Sequence, residues 1–458
     1  MADAEVFDTL IVGAGAAGLV AAAELGKQPS TVCVLEARDR LGGRIYTRRE
    51  PGVSLPVELG AEFIHGRSPA TFSWLTRSNT AVVDAGGERW VLREGKPHPG
   101  DDLWAEMKRG LRSIPRPRKD LPFSEFLDRV ASRKLSPGAL QLARRLVEGF
   151  DAADPTRAST LATLDEWNGS SAADAPTFRP LGGYAALIDG LVSGLDTDCV
   201  RIRLSTVVHS IEWQRGRVTI EAMRHGQPTT VQGRRAILTL PIGVLQAGAV
   251  RFTPDPRKQK ALDGLGCGPV IKVVLHFREP FWERIDGGRY RDAAFFNSPG
   301  SPFPTFWCAL PLRGSLLNAW AGGPNATRLS GKSEAELAQA AIESLQAAFG
   351  RKVRVRRMLE RAYLHDWQAD PFARGAYSYV VVGGKSARKA LAAPVQDTLF
   401  FAGEAADTAG ESGTVAGALQ SGMRAARQVL RNSSPKTSNA RLAARRRNSL
   451  RPSRRLRH

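Results

Sequence analysis

Apolar and polar positions change period several times along the chain, and each change marks an element. The apolar run Leu10 to Val12, entered through Asp8-Thr9, fits a parallel strand buried on both faces. It breaks at Gly13, and the alanine-rich stretch from Ala16 to Leu25 reads as a helix. A second apolar run, Thr31-Val32-Cys33-Val34-Leu35, restores the strand pattern. From about Ala70 to Leu195 the pattern is mostly helical, broken at Pro115-Arg116-Pro117, with Trp74, Trp90, Trp104 and Trp167 scattered through it. Strands return after Val200: Val207 to Trp213 alternates, Arg217 to Met223 follows a glycine-containing turn, and Ala236 to Pro241 is a buried run. Val270 to Phe277 is rich in β-branched residues around one lysine, Lys272. A short strand, Asp397 to Phe401, then leads to an apolar helix that opens at Ser412-Gly413-Thr414 and ends near Leu430.

The first strand-to-helix junction carries candidate chemistry. Gly13-Ala14-Gly15-Ala16-Ala17-Gly18 is a GxGxxG loop: Gly13 and Gly15 permit a tight turn with close backbone approach, and Gly18 lets the helix pack on the strand. The helix would point its positive N-terminus at a pyrophosphate. Glu36, 21 positions after Gly15, ends the second apolar run, where a carboxylate can accept the ribose hydroxyls of a dinucleotide and disfavours a 2′-phosphate. Gly42-Gly43 allows another backbone segment near phosphate, and the Arg44 guanidinium can pair with phosphate oxygens.

Together, Val12-Gly13-x-Gly15-x-x-Gly18 and Glu36-Ala37-Arg38-x-Arg40-x-Gly42-Gly43-Arg44 resemble the N-terminal fingerprint of the FAD-dependent amine oxidase superfamily of monoamine oxidases, polyamine oxidases and lysine-specific histone demethylases. The same fingerprint resembles phytoene desaturases and protoporphyrinogen oxidases. The resemblance implies an α/β chain in which a Rossmann-like FAD-binding domain (1–75, 197–265 and 386–430) interleaves with an α+β substrate-binding domain (76–196 and 266–385). It also implies that the backbone of Val208 meets adenine, that Gly403 and Glu404 contact the ribityl or pyrophosphate part of FAD, that Thr414 and Val415 border the flavin ring, and that Gly413 and Ala418 bind the cofactor. Two ends of the chain would thus meet on one cofactor.

The resemblance extends to substrate chemistry. Gly268-Pro269-Val270-Ile271-Lys272-Val273 followed by Phe281-Trp282 is similar to the segment whose lysine holds a water beside flavin N5, making Lys272 the first catalytic candidate. Trp367-x-x-Asp370-Pro371-x-x-x-Gly375-x-Tyr377 resembles the segment of polyamine oxidases and histone demethylases in which the tyrosine walls an aromatic cage, with Thr414 opposite Tyr377. Glu58 to Gly66 resembles the segment that passes over the flavin, placing Gly60, Ala61 and Glu62 against the cofactor and His65 by the amine, with Glu62 attracting a cationic substrate. No cysteine follows Cys308, so FAD is expected to be held non-covalently. The implied reaction is hydride transfer from the α-carbon of a primary or secondary amine, possible polyamines included, to flavin N5, imine hydrolysis to an aldehyde or ketone, and reoxidation by O2 giving hydrogen peroxide. The alternatives are an L-amino-acid oxidase, which needs a cation for the substrate carboxylate that Arg374 or another arginine would supply, a related FAD oxidoreductase, and a low-turnover flavoprotein scaffold.

Composition adds partners and compartment. At 458 residues with 42% hydrophobic content the chain supports a large core. No apolar stretch reaches the length of a membrane span, the start lacks a secretion signal, and Cys33, Cys199, Cys267 and Cys308 form no metal-type pair, so unpaired thiols, no metal and a cytoplasmic location are expected. Of the net charge of +20, half lies between Arg431 and His458, which holds nine arginines, one lysine and no acid. This basic tail, 431–458, is expected to be disordered and open to a non-specific anionic partner. Nothing in the sequence sets the oligomeric state.

Overall fold

The computed structural model describes residues 5–93, 96–99, 101–168 and 175–431. The basic tail therefore lies outside the described residues, apart from Arg431, which closes a helix.

The strand Val6–Val12 is the centre of an eight-stranded sheet. It pairs in parallel with Val32–Leu35 on one side and with the far half of Gln227–Leu238 on the other. Val200–Arg203 extends the first edge in parallel, and Leu399–Phe401 joins Ala236 to Leu238 in parallel. Thr206–Gln214, Arg217–Arg224 and Gln227–Leu238 form an antiparallel meander that carries the sheet to its other edge at Arg251–Thr253. The buried residues of the central strand explain its apolar run, because helices cover one face and the meander side of the core covers the other.

Helix Ala16–Gly26 and helix Val415–Arg431 pack together on that sheet, so the two ends of the described chain meet. Gly422 makes the approach possible: a Cβ there would stand 2.3 Å from the Ala17 carbonyl oxygen.

A second sheet of seven strands runs in the order Leu359–Asp366, Val270–Phe277, Leu316–Gly322, Thr305–Cys308, Ala293–Asn297, Glu88–Arg93, Lys96–Pro99. Val270–Phe277 is interior to it, flanked on both sides by antiparallel partners. Its lysine therefore has no route to an edge. The stretch read as mostly helical between Ala70 and Leu195 also contains the strands Val82–Asp84, Glu88–Arg93, Lys96–Pro99 and Thr177–Pro180. Pairing of Glu88–Arg93 with Ala293–Asn297, some 200 residues away, fixes the first of the pair, a tertiary contact that local periodicity does not record. None of the four cysteines is in a disulfide and three of them are buried; among the described residues no group of ligands could hold a metal and no helix is long and apolar enough to cross a membrane.

Candidate active site

A cavity of about 860 Å³ is lined by residues of both large sheets. One end is built by the glycine loop. Gly13 (φ +104°), Gly15, Ala16 and Ala17 line it, and a Cβ on Gly13 would strike the Thr239 hydroxyl at 2.5 Å. Glu36 is buried there with its oxygens fixed by the backbone amides of Ala14 (2.7 Å) and Arg38 (3.0 Å). Each oxygen keeps a lone pair for a further donor such as a ribose hydroxyl. Ala37, Arg38, Gly43 and Val208 also line this end, while Gly60 and Ala61 line the cavity beside Lys272, which donates to the Gly60 carbonyl. The ladder shifts register between Val208 and Ser210, so the strand is irregular where it meets the cavity.

Gly18 and Gly42, expected among the cofactor contacts, stand behind the wall instead. A Cβ on Gly18 would lie 1.9 Å from the Gly13 carbonyl oxygen, which makes it a helix-on-strand packing position. Gly42 (φ +97°) turns the chain so that its amide reaches the Ala14 carbonyl at 2.9 Å.

The C-terminal segment closes the middle of the cavity. Gly403 (φ +110°), Glu404, Gly413, Thr414, Val415 and Ala418 line it. Arg44 donates to Glu404 at 3.0 Å and to the Ala376 carbonyl, while Glu404 accepts the Ser378 hydroxyl at 2.7 Å. Burial pushes the Glu404 carboxyl up, but the Arg44 and Arg388 cations outweigh it and hold it below the usual range. The Thr414 hydroxyl is spent on the helix start, donating to the Glu411 carbonyl at 2.6 Å and accepting the Gly417 amide at 3.1 Å. It contributes a helix cap to the cavity wall rather than a free polar group.

The other end holds Lys272, Tyr377, Trp367, His65 and Glu62, so with Thr414 on the middle wall all six catalytic candidates line one cavity. Lys272 is 1% exposed and donates to Glu62 Oε2 at 2.7 Å and to the Gly60 carbonyl at 3.3 Å. Glu62 does not face the cavity as a lone attractant. Its carboxylate also holds Arg179 (Nε at 3.2 Å, Nη2 at 3.1 Å) and the Trp307 indole N–H at 2.9 Å. Burial raises its carboxyl, but Lys272 and Arg179 outweigh that and leave it below the ordinary range. Arg179 and Trp307 were missed from sequence because each is an isolated residue in a short strand, 117 and 245 positions from Glu62.

His65 lies edge-on to Phe150 (ring centroids 5.2 Å apart) with its Nδ1 buried and without a partner. Burial and the Arg89 cation push its pKa down to about 4. Tyr377 is pinned by its hydroxyl to the Phe150 carbonyl. Trp367 donates to the Leu59 carbonyl at 2.9 Å and packs with Tyr46, Trp320 and Tyr377. Three positions on, Asp370 takes Arg38 through both oxygens at 2.7 Å and His365 at 2.9 Å, tying the Trp367 turn to the dinucleotide end. Burial pushes Asp370 up, and His365 and Arg38 more than reverse it. Arg374 also lines the cavity, with its carbonyl accepting from the Cys267 thiol at 3.2 Å and its backbone packed on Gly243.

The residues present fit FAD: a glycine loop with no room for a side chain at Gly13 or Gly18, a fixed buried carboxylate, an arginine beside the turn, and a cavity near the top of the usual range for ligand sites.

Comparison with known proteins agrees. The sequence profile described as "Flavin containing amine oxidoreductase" matches residues 16–430. The chain is 28% identical to lysine-specific histone demethylase 1 homolog 3 of Arabidopsis thaliana over 93% of its own length and 30% of the relative's. It is 27% identical to human lysine-specific histone demethylase 2, covering 92% of itself and 53% of that protein. It is 28% identical to polyamine oxidase 2 of Arabidopsis thaliana, covering 91% of itself and 86% of the relative. The chain thus spans only about a third to half of the demethylases it matches. In fold it is similar to a putrescine oxidase bound to putrescine (TM-score 0.77, 22% identity, 93% of this chain and all of that one) and to cyclohexylamine oxidase from Brevibacterium oxydans (TM-score 0.75, 22% identity, 93% and 99%). FAD is the cofactor, and this chain belongs to the flavin-containing amine oxidoreductases.

Proposed function

We propose that the protein oxidises a primary or secondary amine with non-covalently held FAD and passes the electrons to O2, giving hydrogen peroxide and an imine that water hydrolyses to an aldehyde or ketone. The observation that carries this reading is the position of Lys272, buried in the same cavity as the Gly13–Gly18 loop and Glu36. The three segments 1–75, 197–265 and 386–430 are assigned to FAD, and 76–196 with 266–385 to substrate. When bound, FAD supplies the electron acceptor for the hydride equivalent leaving the amine α-carbon.

The protein residues supply orientation and proton control. Of the three N–H donors of Lys272, Glu62 and Gly60 engage two, leaving one for a water at the reacting end. Tyr377 and Trp367 form a fixed aromatic wall that excludes bulk water and orients the neutral amine. His65, kept neutral by its surroundings, offers an unpartnered nitrogen to the amine or its departing proton. Anaerobic mixing of the flavin-loaded protein with a panel of monoamines, diamines, polyamines, N-methyl-lysine peptides and amino acids tests the proposal. Bleaching by at least one amine, with peroxide formed on readmitting air, is expected. A colourless protein, or flavin that no amine bleaches, overturns it.

A further inference from the structure

Asp370 stands behind the cavity wall, while its neighbours Trp367, Pro371 and Phe372 line it. Its side chain, 8% exposed, takes Arg38 Nη2 on both oxygens at 2.7 Å. On the dinucleotide side the grip continues to Glu36, whose Oε1 accepts the Arg38 amide at 3.0 Å and stands 3.9 Å from Arg38 Nη1. The Arg38 guanidinium also lies 5.4 Å from the Phe372 ring centroid. On the amine side His365 Nε2 meets Asp370 Oδ2 at 2.9 Å, and the His365 ring packs on Trp367 with centroids 4.1 Å apart. Glu36, Arg38, Asp370, His365 and Trp367 thus form one unbroken series of contacts from the dinucleotide end to the aromatic wall.

The turn that carries Asp370 has little slack. Its Oδ1 accepts the Phe372 amide at 2.8 Å, and its carbonyl takes the amides of Arg374 at 2.8 Å and Ala373 at 3.1 Å. The Gly375 amide returns to the Trp367 carbonyl at 2.7 Å, and the Ala376 amide crosses to the Gly268 carbonyl at 2.8 Å. Tyr377 follows directly, its hydroxyl fixed on the Phe150 carbonyl. A buried, charge-assisted hydrogen bond shared by both carboxylate oxygens holds Arg38 closely to this turn. A ligand that fixes Glu36 and Arg38 therefore fixes the support of Trp367 and Tyr377, and a second ligand at that wall meets less of the ordering cost.

We propose that Asp370 is a positioning residue that couples the two ends of the cavity: seating the adenylate half of FAD against Glu36 and Arg38 orders the turn behind Trp367 and Tyr377, so cofactor binding prepares the wall that receives the amine. The inference rests on placing the adenylate half at the glycine loop.

Hydrogen exchange on the deflavinated full-length chain, with and without millimolar ADP, tests the coupling. ADP should slow exchange both at the Gly13–Gly18 loop and at 373–377. Asp370→Asn should keep the first protection and reduce the second by about tenfold or more. Arg38→Gln, which cuts the link from the other side, should do the same at ADP levels that still protect the loop. Coupling is reciprocal, so FAD titrated into the Asp370→Asn protein should bind about tenfold more weakly. A wild-type turn that ADP leaves unchanged overturns the proposal. Protection at 373–377 that survives Asp370→Asn also overturns it, because it reports direct contact with ADP, with Asp370 only a strut. If ADP protects neither segment, the adenylate assignment falls and takes the coupling with it; protection of the loop alone removes the coupling and leaves that assignment standing.

Discussion

Glu62 gathers Lys272, Arg179 and Trp307 on one buried carboxylate, so the catalytic lysine is held by an ion group and is not an isolated ammonium. A buried pair of this kind is costly to break from one side. Lys272→Met leaves Glu62 its arginine and indole, so the fold and bound flavin should persist. The rate of flavin reduction or reoxidation should fall by about a hundredfold or more. Stopped-flow absorbance checks the rate and the flavin-to-protein ratio checks loading; an unchanged rate would make Lys272 only a structural partner of Glu62. His65 gives a pH prediction. Its folded pKa, pushed down to about 4, lies below the ordinary histidine value, so between the two the unfolded chain binds the extra proton. Stability is therefore lost as pH falls from about 6.5 towards 4. Glu58, raised by burial to about 7, acts in the opposite sense over an overlapping range. The readout is thus the difference between wild type and His65→Gln: the variant should lose less stability on acidification in thermal unfolding at matched pH.

Among elements, the crossing of helix Ala16–Gly26 with helix Val415–Arg431 bears directly on cofactor loading, because the first helix starts at the glycine loop and the second at the Thr414 cap. Gly422→Ala would press a methyl against the Ala17 carbonyl and Val20, with an expected loss of about 1–3 kcal/mol and a lower flavin content. Denaturant unfolding and the flavin absorbance ratio measure both. The glycine loop, Glu36 and the Lys272 strand were legible in sequence because each is a local pattern: a turn between two periodicities, or a charge inside an apolar run. Asp370 was legible only as a motif letter. Its grip on Arg38 crosses 332 residues and appears only once the Trp367 turn is folded against the dinucleotide end.

At the scale of the molecule, cofactor and protein stability are linked. The FAD cavity is lined from residues near both ends of the described chain and from its middle, so a ligand there bridges segments that the backbone alone does not hold together. Removing FAD should lower stability by about 3 kcal/mol when free cofactor had stood about a hundredfold above its Kd. Calorimetric melting of the holoprotein and the deflavinated protein checks this, and coincident curves would show that the cavity is rigid without its ligand. The sheet topology also dictates a timetable. During synthesis the first strand emerges with one edge open, and its partner at Gln232 to Leu238 leaves the ribosome more than 200 residues later. The helix that covers Ala17 follows only after residue 415. Until then the N-terminal segment can pair on one edge only, with Val32–Leu35, so the flavin cavity cannot close before nearly all of the described chain is made.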